Sequence, residues 1–210
     1  MAHPWRLKEM TPAEARDRLR ATGRLLIPAG TLEFRGPHLP LGCDTLILER
    51  LADDLSARTG IPRSPSIEFG VHARQDEASP GTASLRRKTL HRVMNELIAG
   101  WEEDAGVGEF VILTAHAAEA HQEALSTIRA LGVVRVVDIF GFDFGGMLDS
   151  PRGPIHGGEL DTSLMLHLRP DLMRTQAAAS RIHASAEKGK RLYDYILQQI
   201  AQRWLLPESG

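Results

Sequence analysis

Three short apolar runs alternate with amphipathic segments along this chain, and that alternation restricts its fold more than any other feature. The runs cover residues 24–30, 109–114 and 133–139, and β-branched residues dominate the last of them. Short apolar runs bounded by glycine or proline are typical of strands buried in a sheet. Because helices that separate parallel strands cover both faces of their sheet, we predict an α/β fold with a mainly parallel central sheet flanked by helices.

The segments between these runs carry the periodicity and the end signals of helices. Residues 11–14 place a capping Thr before a Pro and a first-turn Glu, which predicts a helix over residues 11–21. The apolar spacing predicts further helices over residues 44–59, 90–103, 117–131 (ended by Gly132), from 159 onward, and 177–204. Residues 61–82 and 141–158 are predicted to form long loops, the first with a short strand near 67–69.

The length and the charge narrow the class of protein. We expect a single domain over residues 1–210, since 210 residues suffice for one sizeable core. A net charge of -2 provides no field that would favour nucleic acid or an anionic membrane, and we identify neither an export signal nor a run of about 18 apolar residues. The single cysteine, Cys43, cannot form an intramolecular disulfide. We therefore expect a cytoplasmic protein with no nucleic-acid or membrane partner.

The loop after the first strand contains two carboxylates and an imidazole among prolines. Glu33 and Asp44 offer the hard oxygen ligands that divalent metals need, and a loop stiffened by Pro37 and Pro40 loses less entropy in holding them. Sheets of this kind place their sites at the carboxyl ends of strands, which makes the loop a candidate metal site. The alternative is that Asp44 caps the helix that follows.

The loop after the second strand places His116 directly at the end of that strand. Imidazole is the commonest metal-ligand type, so His116 is a candidate metal ligand. The alternative is a histidine at a helix start whose ring nitrogens bond to the backbone. Glu119 and His121 lie further into the predicted helix, and we expect both on its solvated face.

A third polar loop holds His156, Glu159 and Asp161 within six residues, beside two glycines. One acid in this position is explained by the dipole of the helix that follows, and polar loops are common for solvation alone. Two acids beside a histidine are harder to explain in that way. The loop is therefore a further candidate for the site.

In their order and spacing, these three loops resemble the creatininase (creatinine amidohydrolase) family. The family loop E-x-H-G-P-H-L-P-x-x-x-D is matched by residues 33–44, with Arg35 at the first His position. The P-G-T-x-S-L stretch looks like residues 80–85, N-G-H-G-G-N is echoed by residues 114–119, and H-A-G-E-x-E-T-S looks like residues 156–163. The resemblance spans about residues 24–173, which is most of the chain.

The resemblance implies a creatininase-like layered α/β domain, often assembled into hexamers. It also implies hydrolysis of a non-peptide C–N bond of a small molecule at a dinuclear zinc, manganese or iron site. By the matching positions, one metal is held by Glu33, Asp44 and His116. The second metal would use the first-loop His, the shared Asp44 and a further carboxylate, but Arg35 stands at that His position.

Because Arg35 stands in place of a ligand of the second metal, we expect only part of the dinuclear site in this chain. Arginine is cationic and has no lone pair for a metal, so it cannot replace an imidazole ligand. We hypothesise that its guanidinium occupies the second-metal region and compensates the charge of Asp44, which leaves one divalent metal (zinc, manganese or iron) per chain. His156 is expected to pass a proton to the leaving nitrogen, with Glu159 as its orienting partner or a further ligand. The residues expected to contact the substrate are Arg35, His38 and Asp161.

Two other interpretations fit the same departures from the family pattern. Ala115 and Ala117 stand where the family has glycines, so the turn around His116 is expected to differ in backbone conformation. Together with the replaced ligand, this also fits a creatininase-like protein that has lost hydrolysis and serves as a binding or assembly component. A mononuclear metal enzyme of non-hydrolytic chemistry is the third possibility. Metal content and the surroundings of Arg35 distinguish these hypotheses.

Overall fold

A three-stranded parallel sheet forms the centre of the fold in the computed structural model, which describes residues 3–72, 80–150, 157–174 and 182–206. The strands are β1 (Arg24–Pro28), β2 (Glu109–Thr114) and β3 (Val133–Asp138), and they lie in the order β1-β2-β3. The pairing is parallel throughout, with Leu25 opposite Phe110 and Phe110 opposite Val134. The predicted parallel sheet is confirmed.

Helices connect and cover the strands. They are α1 (Pro12–Thr22), α2 (Cys43–Thr59), α3 (Arg87–Ala105), α4 (Glu119–Ser126), α5 (Glu159–Leu168) and α6 (Ala186–Ile200), and a π-helical turn (Ala201–Leu205) follows α6. Short 3-10 turns occupy Leu7–Glu9, Gly145–Met147 and Pro170–Leu172. The first helix begins as predicted, because the Thr11 side chain accepts a hydrogen bond from the Glu14 amide while the Glu14 carboxylate accepts one from the Thr11 amide.

The core consists of two apolar clusters, one on each face of the sheet. Successive strand residues alternate between them, as the pleat of a strand dictates, so Leu26 and Val111 face one cluster while Leu25 and Phe110 face the other. Helices α2, α5 and α6 contribute to the first cluster, and helices α1, α3 and α4 to the second. This arrangement confirms helices on both faces of the sheet.

Helix α4 is shorter than its sequence predicts, because it ends at Ser126 rather than near residue 131. Side chains of α3 stabilise the early end. The Asn95 carboxamide oxygen accepts a hydrogen bond from the Arg129 amide, and the His91 ring bonds to the Thr127 carbonyl. The chain must also turn here to bring the Val133 amide to the Gly108 carbonyl at the start of β3. Tertiary contacts thus override the helical propensity of residues 127–131.

The last helix begins later than predicted. Its N-cap is Ser185, whose hydroxyl accepts a hydrogen bond from the Lys188 amide at 3.1 Å. Residues 182–185 are not helical, and residues 177–181 lie outside the described part of the chain. The short strand predicted near 67–69 is reduced to one parallel bridge between Ile67 and Ala29. Within the described ranges, no helix combines the length and the apolar character that a membrane crossing would require.

Candidate metal centre

The loops after β1 and β2 meet at the carboxyl edge of the sheet and bring three candidate ligands together. Ligand atoms of Glu33, Asp44 and His116 all lie within 4.8 Å of one another, and the three side chains are buried. Glu33 Oε1 is 3.1 Å from His116 Nδ1, and Asp44 Oδ2 is 4.0 Å from the same nitrogen. The sequence predicted these three residues as one metal-binding set, and the structure places them side by side.

Asp44 lies in the first turn of α2 but does not cap it. The N-cap is Gly42, which offers no side chain, so the capping alternative for Asp44 is wrong. Asp44 Oδ2 instead accepts hydrogen bonds from Thr31 Oγ1 at 2.7 Å and from Arg35 Nη2 at 2.6 Å. Thr31 was not identified from the sequence, because a threonine in a polar loop gives no signal of its own.

The Arg35 guanidinium lies in the middle of the three candidate ligands. Its Nη2 atom is 2.6 Å from Asp44 Oδ2, 3.1 Å from Glu33 Oε1 and 3.3 Å from His116 Nδ1, and it also donates to the Ala115 carbonyl at 3.0 Å. The side chain is only 1% exposed. The expected contact with Asp44 is therefore present, but the same nitrogen lies among all three ligands assigned to the first metal, whereas the sequence-based hypothesis placed Arg35 in the second-metal region.

Asp161 faces this group from the first turn of α5. Its Oδ2 atom is 3.9 Å from Arg35 Nη1, and its two oxygens accept backbone hydrogen bonds from Gly157 and Thr162, each at 2.8 Å. Burial raises the pKa of Asp161 to about 7, against the opposing effect of Arg35. We call Glu33, Arg35, Asp44, His116 and Asp161 the Arg35 cluster.

The formal charges of the Arg35 cluster do not balance. Among the described residues, its three carboxylates, which are 0–2% exposed, face one buried guanidinium, so the five residues of the cluster carry a formal excess of two negative charges when all are ionised. Burial raises the pKa of Asp44 even though Arg35 and Thr31 oppose the shift. Burial also raises the pKa of the adjacent Cys43 thiol, which stays neutral. Buried charges are normally paired, so the excess favours binding of a further cation.

Gly157 allows the loop before α5 to approach Arg35 closely. Its φ is +64°, and a Cβ atom there would lie 2.3 Å from the Arg35 carbonyl oxygen, so a side chain is excluded. Near this contact, His38 Nε2 lies 2.9 Å from Thr162 Oγ1, and burial lowers the pKa of His38. His38, which the sequence predicted as a substrate contact, thus joins the first loop to the first turn of α5.

Glu159 is held by a different set of partners. It accepts hydrogen bonds from the Asp149 and Ser150 amides at 2.9 and 2.7 Å and pairs with Lys188, which also donates to Asp149 Oδ2 at 2.8 Å. Burial alone would raise its pKa, but the bonds from Lys188 and the two amides lower the pKa of Glu159. We call Asp149, Glu159 and Lys188 the Lys188 cluster. His156, the predicted proton carrier, lies outside the described residues.

His121 is fully buried, so its expected place on the solvated face of α4 is wrong, while Glu119 is exposed as expected. Its Nδ1 accepts a hydrogen bond from the Val71 amide at 3.2 Å, so Nε2 carries the proton toward Thr114 Oγ1 at 3.0 Å. Burial lowers the pKa of His121 to about 3. Its ring stands edge-on to His116 with centroids 5.1 Å apart. The spacing of residues 121, 124 and 125 on one helix face was the signal that could have revealed this burial.

The donor set fits a divalent transition metal in chemistry and in spacing. Two carboxylates and an imidazole suit zinc or manganese. Ligands at about 2.1 Å from one ion lie roughly 3–4 Å from each other, and the separations of 3.1 and 4.0 Å from His116 Nδ1 match that requirement. The residues behind the candidate ligands also fit a metal site. Thr31 donates a hydrogen bond to Asp44, and the ring of His121 packs against the ring of His116.

Comparison with known proteins bears on the same residues. A family model described as creatinine amidohydrolase (Creatininase) matches residues 8–183. The chain is 26% identical over 182 residues to the 3-dehydro-scyllo-inosose hydrolase of Thermotoga maritima, covering 80% of this chain and 58% of that protein. It is 30% identical over 154 residues to the mycofactocin precursor peptide peptidase of Mycolicibacterium smegmatis, covering 70% and 58%. With the creatinine amidohydrolase of Pseudomonas putida it shares 28% over 171 residues, covering 71% and 65%.

These matches span less than two thirds of each relative's own length. Among solved structures, a crystal structure of creatinine amidohydrolase superposes with a TM-score of 0.76 at 24% identity, covering 97% of this chain and 99% of that chain. A structure named Creatininase Mn gives a TM-score of 0.79 at 22% identity, covering 97% and 100%. At these identities the likeness demonstrates a shared fold, and it confirms the predicted layered α/β architecture.

Proposed function

This chain belongs to the creatininase family, and we propose that it is a metal-dependent hydrolase whose metal is held by Glu33, Asp44 and His116. The observation that carries the proposal is the convergence of these three buried donors from two strand-following loops. Three protein ligands leave coordination positions open for water and substrate, as in catalytic rather than structural sites. The curated relatives share hydrolysis by name, although their named substrates differ.

A bound divalent metal would supply a water of lowered pKa and polarise the scissile carbonyl. The chain's own residues have separate tasks around it. Thr31 donates to Asp44 Oδ2 and so fixes that carboxylate. His121 packs edge-on against the ring of His116 and limits its rotation. Proton transfer to the leaving nitrogen by His156, with Glu159 as its orienting partner, is part of the proposal.

We further propose one metal per chain, because charge and geometry favour it. One divalent ion would neutralise the formal excess of two negative charges left in the Arg35 cluster, whereas two ions would leave a large positive excess. In addition, the position of the second metal's imidazole ligand is held by Arg35, which has no lone pair. Zinc, manganese and iron all suit the donor set.

The substrate we propose is a small molecule with a non-peptide C–N bond. The three donors are at most 2% exposed, so only a small molecule or a slender chain end can reach them. Arg35, His38 and Asp161 are the proposed substrate contacts. A cytoplasmic homo-oligomer, hexameric by family resemblance and without nucleic-acid or membrane partners, remains our prediction for the whole protein.

Elemental analysis of protein purified without chelator tests the metal proposal. We expect about one equivalent of divalent metal per chain, and a rise toward two in Arg35→His, because an imidazole restores a ligand for a second ion. Glu119→Gln is the matched control, since Glu119 is an exposed carboxylate three residues from His116 and should leave the metal content unchanged. About two equivalents in the wild-type protein would overturn the one-metal proposal, and none would overturn the metal dependence.

A second candidate function is a binding or assembly role without hydrolysis. The position of Arg35 Nη2 favours it, because that nitrogen lies within 3.3 Å of all three candidate ligands. In this case the wild-type protein takes up no metal and turns over no amide substrate even when manganese or zinc is supplied.

A further inference from the structure

Arg35 Nη2 and a bound metal ion need the same place. An ion held by Glu33, Asp44 and His116 would lie about 2.1 Å from each donor atom, and Nη2 is already 2.6–3.3 Å from those atoms. The ion and the nitrogen would therefore overlap, and two cations at such a distance repel strongly. Metal binding thus requires the guanidinium to move.

The hydrogen bonding of Arg35 is uneven and shows in which direction movement is possible. Three hydrogen-bond partners and the Glu33 carboxylate, an ion-pair contact, crowd around Nη2, whereas Nε is buried with no hydrogen-bond partner among the described residues. In the described part of the chain, the ion-pair contact of Nη1 is with Asp161 Oδ2, at the long distance of 3.9 Å. A guanidinium offers five N–H donors, so this arrangement leaves part of its capacity unused. A shift toward Asp161 would give Nη1 a close partner.

Resting on the proposed function, we propose that Arg35 is an exchangeable internal cation. It holds the three ligands together in the metal-free protein, and its guanidinium moves to Asp161 when a divalent metal binds. Asp161 is suited to receive it, because the Gly157 and Thr162 amides fix both carboxylate oxygens facing Arg35. A Cβ atom at Gly157 would lie 2.3 Å from the Arg35 carbonyl oxygen, so the two loops already approach closely, and the proposed movement is a rotation of the Arg35 side chain.

The charge of the cluster favours retention of the arginine over its expulsion to solvent. With the metal and Arg35 both present, three positive charges face the three carboxylates of Glu33, Asp44 and Asp161. Moving Arg35 into water would remove the cation that faces Asp161 among the described residues, so the ionised form of this buried carboxyl would cost more free energy. Arg35 and Asp161 should therefore act as a coupled pair in metal binding.

Calorimetric titration of metal-stripped protein with Mn²⁺ tests this coupling in wild type, Arg35→Met, Asp161→Asn and the double variant. We expect Arg35→Met to bind on the order of tenfold more tightly, because the binding-competent state no longer requires a displaced guanidinium. In the presence of Arg35, Asp161→Asn should bind Mn²⁺ more weakly than wild type. In the Arg35→Met background, the same substitution should not weaken Mn²⁺ binding. Arg63→Met is the matched control, since Arg63 is 3% exposed but pairs with Asp53 outside the cluster.

Each outcome of the titration decides between the hypotheses. Equal effects of Asp161→Asn in both backgrounds would indicate simple charge repulsion and overturn the exchange, as would unchanged affinity in Arg35→Met. Tight binding by Arg35→Met together with no binding by wild type would support displacement and overturn the proposed metal-dependent function. If no variant binds, both proposals fail.

A loss of folding in Arg35→Met is checked separately. Thermal unfolding of each variant is followed with and without Mn²⁺, and Arg35→Gln, which retains a hydrogen-bond donor, replaces the methionine variant if that protein does not fold. We expect the metal-free forms of both variants to melt below wild type and to gain more from Mn²⁺. An equal gain in wild type and Arg35→Gln would also overturn the exchange.

Discussion

The Arg35 cluster and the Lys188 cluster each set a cation against an acid from the first turn of α5, Asp161 in one and Glu159 in the other, yet the two clusters differ in how fully their polar groups are paired. In the Lys188 cluster, both Glu159 oxygens accept backbone hydrogen bonds, and Lys188 donates to Glu159, Asp149 and the His183 carbonyl. The second acid, Asp149, is 65% exposed, so water stabilises its charge. The charges and hydrogen bonds of this cluster are satisfied.

The Arg35 cluster differs in its hydrogen bonding and in the burial of its acids. Asp44 Oδ1 and Arg35 Nε are buried and have no hydrogen-bond partner within the described part of the chain. Its three carboxylates are almost fully buried and share one guanidinium. Buried polar groups are nearly always satisfied in folded proteins, so an exception indicates a role other than stability. The comparison therefore separates an ion cluster whose buried groups have partners from a candidate metal-binding site.

The largest effect should follow removal of a carboxylate from the Arg35 cluster. Asp44→Asn should lower Mn²⁺ affinity by more than about 100-fold, because even residues behind the ligands typically change affinity 10–100-fold. Calorimetric titration measures the change, and Glu159→Gln, which alters the Lys188 cluster, should bind as wild type does. Equal losses in both variants would remove the distinction between the two clusters.

Breaking the Lys188 cluster should instead lower stability. Glu159→Gln removes the charge partner of a largely buried lysine, and we expect the free energy of unfolding to fall by about 3 kcal/mol. Urea denaturation monitored by circular dichroism measures this change. A variant that keeps its stability but loses metal would show that Glu159 belongs to the metal site after all.

Thr31→Val tests whether the Thr31 hydroxyl orients the Asp44 carboxylate for metal binding. The substitution keeps the shape of the side chain but removes the hydroxyl that donates to Asp44 Oδ2 at 2.7 Å. Mn²⁺ affinity should fall roughly tenfold, the lower end of the usual range for such residues. Thr162→Val, which removes the hydroxyl paired with His38, is the comparison variant and should change affinity less.

The smallest effect concerns pH and the histidine behind His116. The pKa of His121 is about 3 in the folded chain, below its ordinary value of 6.5, because the ring is buried. The unfolded chain therefore binds a proton that the folded chain rejects, so stability falls as pH drops below about 6.5. Protonation of this histidine in the unfolded chain should lower the free energy of unfolding by about 1 kcal/mol between pH 6.5 and 5.5. Urea denaturation at both pH values should show a smaller loss in His121→Gln, and an equal loss would contradict the assignment.

Much of the fold could be predicted from the sequence, because local patterns of apolar residues and helix caps indicate its strands and helices. The three strands lie where their apolar runs indicated, and α1 begins at its predicted cap. The two largest errors in helix length, at α4 and α6, arise where side chains from another helix end the helix early or a local cap begins it late. The helical spacing of His121 with residues 124 and 125 could have revealed its burial, but its hydrogen-bond partner, the Val71 amide, lies 50 residues earlier and gives no local signal.

The sequence by itself determined which atoms could serve the site. Residue type and strand ends made Glu33, Asp44 and His116 separate candidate ligands, the family resemblance grouped them into one metal set, and Arg35 offers no lone pair to a metal whatever the fold. Only the tertiary structure decided that Arg35 Nη2 lies among all three donors, that Asp161 faces it, and that Lys188 engages Glu159. Burial and charge balance depend on side chains that packing brings together across as many as 126 positions of the chain, as between Arg35 and Asp161. Local sequence patterns do not encode such distances, because they arise only when the helices close on both faces of the sheet.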